Sequence, residues 1–305
     1  MEEQVYHIPA LLPQALDALD IQPGGVYIDC TFGGGGHSRA IVARLDAGRG
    51  GHLYGFDQDR DAMANAIDDD RFTFVLSNFR YLSNFMRFHH VEAVDGVLAD
   101  LGVSFHHFDD EERGFSFRFP EGPLDMRMNR NARLTAAEIV NTYPVERLAQ
   151  ILKLYGEMSQ ARRIAQAIDK ARAKAPIKTA ADLLAVVEPL INPRQQKKEM
   201  AQLFQALRIE VNDEIGALRA MLTEAMKVLR PGGRLVVITY HSLEDRLVKN
   251  FMRTGNLDGR DERDFYGRSL APMRMLTAKP VVADAAEVEA NPRSRSAKLR
   301  AAVKL

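Results

Sequence analysis

The stretch "IDCTFGGGGHS", Ile28 to Ser38, sets four adjacent glycines, Gly33 to Gly36, directly after an apolar, strand-like run. Glycine loses more conformational freedom on folding than any other residue, so four in a row point to a backbone that must turn sharply or let another group come close. A strand ending at Asp29, a glycine turn and a helical continuation ("HSRAIVARL") present backbone N–H groups beside open space, as at ligand sites of doubly wound sheets. Two common glycine motifs fail. The dinucleotide fingerprint needs glycine at its first, third and sixth positions; counted from Gly33 the sixth is Ser38, and counted from Gly34 it is Arg39. No Lys-Ser or Lys-Thr pair follows, so the turn is not a P-loop. What fits is a strand-end acid with glycines at the fourth and sixth residues after it: Asp29, Gly33 and Gly35.

Outward from this turn, "GVYIDCTF", "GHLYGFD", "FTFVLSNF" and "VDGVLAD" alternate with helical segments as far as about Asn129. Strands apolar nearly throughout and separated by helices predict a parallel sheet covered on both faces. From about Leu134 to Val211 no strand pattern occurs. Thr135 with Glu138, and Thr179 with Asp182, read as capping boxes, and "VERLAQILKLYG" and "EMAQLFQALRI" carry apolar residues at helical spacing. This is a helical insertion. Helix and strand then return in "EIGALRAMLTEAMKVLRPGGRLVVITYHS", with Pro231-Gly232-Gly233 predicted to break the helix before a strand. The boundaries read as residues 1–130 and 213–305 for the two parts of the α/β domain and 131–212 for the insertion.

Composition sets the class. A hydrophobic content of 46% and a charged content of 27% suit a globular chain of 305 residues. No apolar run approaches the ~20 residues that span a bilayer, and "MEEQVYHIPALL" lacks the basic start of a signal peptide. A single cysteine, Cys30, leaves neither an internal disulfide nor a cysteine-based zinc cluster, and no metal site is expected. A reducing cytoplasm is the natural setting. Net charge is zero, yet Ser159–Lys178 holds six basic residues and one acid, and Asn291–Leu305 five basic residues and none. Such runs, taken alone, are solvated faces.

Three further signals follow the glycine turn in order. Asp57 ends the next strand, 24 residues after Gly33, where an acid accepts ribose hydroxyls in nucleotide-binding folds. Phe79 follows the third strand and can pack on an adenine face. Asp100 ends the fourth. Singly, these are caps or core residues; in sequence, they resemble the motifs of class I S-adenosylmethionine (AdoMet) methyltransferases, with Thr31 in place of the first glycine.

The resemblance becomes specific in "DCTFGGGGHS", "FDQD", "DLGVSFHHFDDEERGFSFRFPEGPLDMRM", "LRIEVNDE", "RPGGRLVVITYHSLEDRLVK" and "NPRSRSAKLRA". Together these are similar to the RsmH (MraW) family of bacterial 16S ribosomal RNA (cytosine-N4)-methyltransferases, over about His7 to Lys304. The resemblance implies an α/β, Rossmann-like class I methyltransferase domain with a mostly parallel sheet and an inserted all-helical, substrate-recognition domain. It implies S-adenosyl-L-methionine as cofactor, held by Gly35, Gly36, His37, Asp57, Phe79, Asp100 and His107. It implies as substrate a cytosine in the decoding (P-site) region of 16S rRNA, within the 30S subunit, and no membrane partner.

The exocyclic amine of cytosine is a poor nucleophile, because its lone pair is delocalised into the ring. Acceptors for its N–H groups and alignment with the methyl carbon favour attack. DNA amino-methyltransferases use a Pro-Pro-aromatic motif after the fourth strand; this chain has no Pro-Pro pair and carries "DLGVS" there. Asp100, Ser104, Tyr240 and His241 are therefore the candidate catalytic residues, the last two following the "RLVVI" strand. Cys30 reads as packing, since nothing near it would favour a thiolate. The alternatives are an AdoMet enzyme acting on DNA or a small molecule, and a non-catalytic ribosome-assembly factor.

Overall fold

The computed structural model describes residues 9–103 and 108–305. All four strand candidates form, as β1 Val26–Asp29, β2 His52–Asp57, β3 Phe72–Leu76 and β4 Val94–Asp100. They pair in parallel in the order β3-β2-β1-β4. The sheet continues through β5 Leu229–Thr239, parallel to β4, and then β8 Lys298–Lys304, antiparallel to β5. β6 Met273–Met275 and β7 Val281–Val282 both pair with β8. Sheet growth reverses beside β1, with β2 and β3 on one side and β4 and β5 on the other. In open α/β sheets the crevice at such a reversal, beyond the carboxyl ends of the strands, is where ligands bind.

The strands are apolar throughout because successive side chains enter different cores. Along β4 and β5, Val97, Ala99, Leu235 and Val237 face one layer, packed with Leu82, Met86, Leu218, Leu222, Val248 and Met252. Leu98, Val236 and Ile238 face the other, with Leu16, Leu19, Ile41 and Val42. The chain passes directly from the helix Glu214–Val228 into β5, so Pro231-Gly232-Gly233 lies inside the strand rather than ahead of it. The strand tolerates this by a bulge: Leu229 pairs with Val94 and Arg234 with Gly96, leaving Arg230–Gly233 opposite Asp95 alone, with Gly232 at φ +82°.

Residues through Gly102 together with Ile215–Leu305 form one compact unit, and Val103–Glu214 a second. The second contains the helices Ala136–Thr142, Val145–Leu154, Ala161–Arg172, Ala180–Val187 and Gln196–Asn212. Both expected capping boxes close, Thr135 with Glu138 and Thr179 with Asp182. Phe115, Leu124, Met126 and Met128 are buried in this helical core with Ile139, Leu148, Ile164, Leu183 and Leu203. Beside them Arg113 is 1% exposed, its guanidinium donating to the carbonyls of Arg127 and Met128 at 3.0 and 3.2 Å.

Candidate active site

At the carboxyl end of β1, Asp29 is 1% exposed and organises the turn that follows. Its Oδ2 accepts the Ser38 hydroxyl at 2.7 Å, and its Oδ1 the backbone N–H of Thr31 at 3.0 Å. Thr31, standing where the motif has a glycine, has a job of its own. Its hydroxyl accepts the backbone N–H of Asp100 at 2.7 Å, tying the end of β1 to the end of β4.

The glycines divide by role. Gly33 and Gly35 have φ of +52° and +75°, the left-handed region that L side chains rarely adopt. A Cβ on Gly35 would collide with the Arg39 guanidinium and come within 3.0 Å of Phe32 Cζ; one on Gly36 would lie 2.9 Å from Pro9 Cγ. Gly34, by contrast, has open space where its Cβ would be. The turn is braced from outside by Arg39 Nη1 on the Gly34 carbonyl (2.7 Å) and by Asn65 Nδ2 on the Gly33 carbonyl (3.1 Å).

Asp57, half-buried at the end of β2, reaches the same turn: its Oδ2 accepts the Gly33 N–H at 2.8 Å and its Oδ1 the Asp59 N–H at 2.8 Å. Burial pushes its pKa up to about 6 against the pull of those two N–H groups. Asp100, at the end of β4, is likewise pushed up to about 6 by burial, with His37 and Tyr240 working in the opposite direction. The Tyr240 hydroxyl donates to Asp100 Oδ1 at 2.8 Å, and burial beside that carboxylate drives the phenol pKa far upward, so it stays a donor. His37 Nδ1 lies 3.8 Å from Asp100 Oδ2. The ring is buried, and its Nε2 has no hydrogen-bond partner among the described residues. Phe79 is half-buried in a short 3-10 turn after β3, its ring against one of the sheet cores.

The structure thus brings Gly35, Gly36, His37, Asp57 and Asp100 to the reversal crevice, with Tyr240 joined to Asp100. His241 is turned differently. It caps the helix Ser242–Thr254, its Nε2 lying 3.1 Å from Glu244 Oε1 while Glu244 returns to the Tyr240 and His241 N–H groups at 3.0 and 3.4 Å. Ser104 and His107 lie outside the described residues. Cys30 is buried, and that burial raises its thiol pKa well above the ordinary range, which fits packing. Ser38, Asn65 and Glu244 act here without having stood out in the sequence, and Thr31 stood out only as a departure from the glycine motif. The one signal available was Glu244, three residues after His241 as in a capping box.

Among the described residues, two half-buried carboxylates, Asp57 and Asp100, and the orphaned Nε2 of His37 stand beside a glycine turn at the reversal of a parallel sheet. The fold is that of a class I AdoMet-dependent methyltransferase. Residues 4–305 match the model of the MraW methylase family, and the chain belongs to that family. It is 60% identical to the ribosomal RNA small subunit methyltransferase H of Phocaeicola vulgatus, covering 99% of this chain and 98% of that one, and 59% identical to that of Bacteroides thetaiotaomicron, covering 99% of each. A crystal structure of a putative rRNA-methylase from Clostridium thermocellum superposes with a TM-score of 0.45 at 14% identity, covering 98% of this chain and 100% of that one.

The residues present fit S-adenosyl-L-methionine, the cofactor of this enzyme. When bound, it supplies an electrophilic methyl group on a sulfonium.

Proposed function

We propose that the chain methylates the exocyclic N4 of a cytosine in the decoding (P-site) region of 16S rRNA, acting in the cytoplasm on the 30S subunit. The supporting observation is the identity of 60% along nearly the whole length of a relative named for small-subunit ribosomal RNA. In this reading Asp57 holds the ribose hydroxyls, Phe79 flanks the adenine, and Gly35, Gly36 and His37 line the methionine end, with His37 Nε2 gaining the partner it lacks among the described residues. His107 belongs to the same set.

Asp100 and Tyr240 serve the amine. Ionised above about pH 6, the Asp100 carboxylate accepts an N–H of the cytosine amine through Oδ2, which favours the pyramidal nitrogen that attack requires. The Tyr240 hydroxyl fixes the carboxylate through Oδ1. Ser104 is a second acceptor, and His241 sets the path of the backbone beneath Tyr240. The helical insertion recognises the RNA: on the helix Ala161–Arg172, Ile164 and Ile168 face inward while Arg162 and Arg163 are exposed. Arg172 is less available, since it bonds Asp169 and the Val140 carbonyl. In the basic tail Arg300 pairs with Asp245 at 2.7 Å and Lys304 bonds the carbonyls of Met226 and Leu229, which leaves the exposed Arg295 and the half-buried Lys298 as its candidates for RNA.

The test is methyl transfer from labelled AdoMet to free 16S RNA, 30S subunits, 70S ribosomes and duplex DNA. Label confined to 16S rRNA supports the reading. Label in DNA alone, or in none of these while AdoMet binds, replaces it with one of the alternatives.

A further inference from the structure

Beyond the helix Ser242–Thr254, Phe265 and Tyr266 are 97% and 82% exposed, the highest values for large hydrophobic side chains among the described residues. Single exposed apolar residues are ordinary; what distinguishes this pair is the turn that displays it. The Asp264 carboxylate accepts the N–H groups of Tyr266 and Arg268 at 2.9 and 2.8 Å. Asp264 N–H donates to the Arg268 carbonyl at 2.9 Å, and Gly267 N–H to that of Asp264 at 3.0 Å, with Gly267 at φ +79°. Below it, Arg263 and Ser269 pair across a bridge and both donate to Asp261. The rings meet edge to face, centroids 5.6 Å apart at 87°. Two aromatic faces are held out on an ordered tip, so their ordering cost is met by the turn rather than at the moment of binding.

Charge and area indicate what the tip meets. Two of the acids around it, Asp261 and Asp264, are occupied within the turn. Arg260 and Arg268 are exposed, and their guanidinium groups bond no described residue, although Asp258 and Glu262 stand at the base. Two aromatic side chains offer roughly 300–500 Å², well short of the ~1,200 Å² of a stable protein interface, whereas each nucleobase needs only one ring face. We propose that Phe265 and Tyr266 are a stacking arm for unpaired bases of the RNA substrate, with Arg260 and Arg268 meeting the neighbouring phosphates. This rests on the reading of RNA as substrate. The segment that carries the tip leaves the far end of a helix about 20 Å long whose start adjoins Tyr240 and is held to its last turns through Arg253 and the Gly259 carbonyl, so in this proposal it grips the substrate away from the target base.

The chain has no tryptophan, so Phe265→Trp supplies a unique emission. Titration with single-stranded oligouridylate and with 30S subunits should quench it saturably, and a duplex of the same oligomer much less. In parallel, Phe265→Ala/Tyr266→Ala should raise KM for 30S subunits about tenfold or more while leaving kcat, AdoMet affinity and Tm unchanged. Unmoved emission and unchanged KM, with wild type methylating 30S subunits normally, would overturn the stacking arm alone. Emission that shifts with protein concentration in the absence of RNA would overturn it in favour of self-association. A wild-type protein that methylates no ribosomal RNA would remove both this inference and the reading beneath it.

Discussion

The Tyr240 hydroxyl and Asp100 Oδ1 are 2.8 Å apart, joining the residue after β5 to the last residue of the neighbouring strand β4, on the same side of β1. The bond lowers the Asp100 pKa against the larger upward push of burial. Tyr240→Phe removes the donor and keeps the ring against Gly102. The Asp100 pKa should then rise further above about 6, moving the acid limb of the kcat profile to higher pH. A hydrogen bond to a charged group is worth about 1.5–3 kcal/mol, so kcat at neutral pH should fall about tenfold or more. The pH–rate profiles of the two proteins decide it, with unchanged Tm as the control.

With Asp57 on the ribose, as proposed, cofactor binding should have a pH dependence of its own. Ribose hydroxyls donate best to the ionised carboxylate, and in the free protein that form is lost as pH falls through about 6. AdoMet affinity should therefore be level at higher pH and weaken below about 6. Calorimetry from pH 5 to 8 checks this. Asp57→Ala should raise Kd about tenfold or more at pH 7.5, since 1.4 kcal/mol is a factor of ten, and the affinity that remains should vary less with pH.

The glycine turn predicts an order of tolerance. Gly35→Ala forces a Cβ into a left-handed backbone, which costs about 1–2 kcal/mol, and into Phe32 and Arg39. It should lower Tm and weaken AdoMet binding. Gly34→Ala meets open space and should leave Tm within error. A melting curve for each variant is sufficient, and equal losses would contradict the division of roles.

On the substrate side, Arg162→Glu/Arg163→Glu should weaken 30S binding and flatten the dependence of log K on log salt by about 1–2, as two phosphate contacts are lost. AdoMet affinity should not change. Equal slopes for variant and wild type would make this helix a solvated face.

Strands β1 to β5 were legible because burial on both faces writes itself as unbroken apolar runs, and the strand ends at Asp29, Asp57 and Asp100 fell where those runs stop, whereas the short β6 and β7 and the basic β8 carry no such run. Capping boxes were legible because both partners lie within three residues. Partners distant in sequence were not. Nothing in the order of residues ties Ser38 to Asp29 as a buried pair, Asn65 to the Gly33 carbonyl, or Arg300 to Asp245. Proline and glycine at 231–233 read as a break because a bulge in β5 depends on the partner strand, whose register no local pattern reveals.

Methylation at N4 of a 16S cytosine can be read by digesting 16S rRNA from 30S subunits treated with the protein and labelled AdoMet, then separating the nucleosides. Label is expected in N4-methylcytidine from a single position in the decoding region, abolished or nearly so by Asp100→Ala. Label in any other nucleoside, or undiminished transfer by Asp100→Ala, would contradict it.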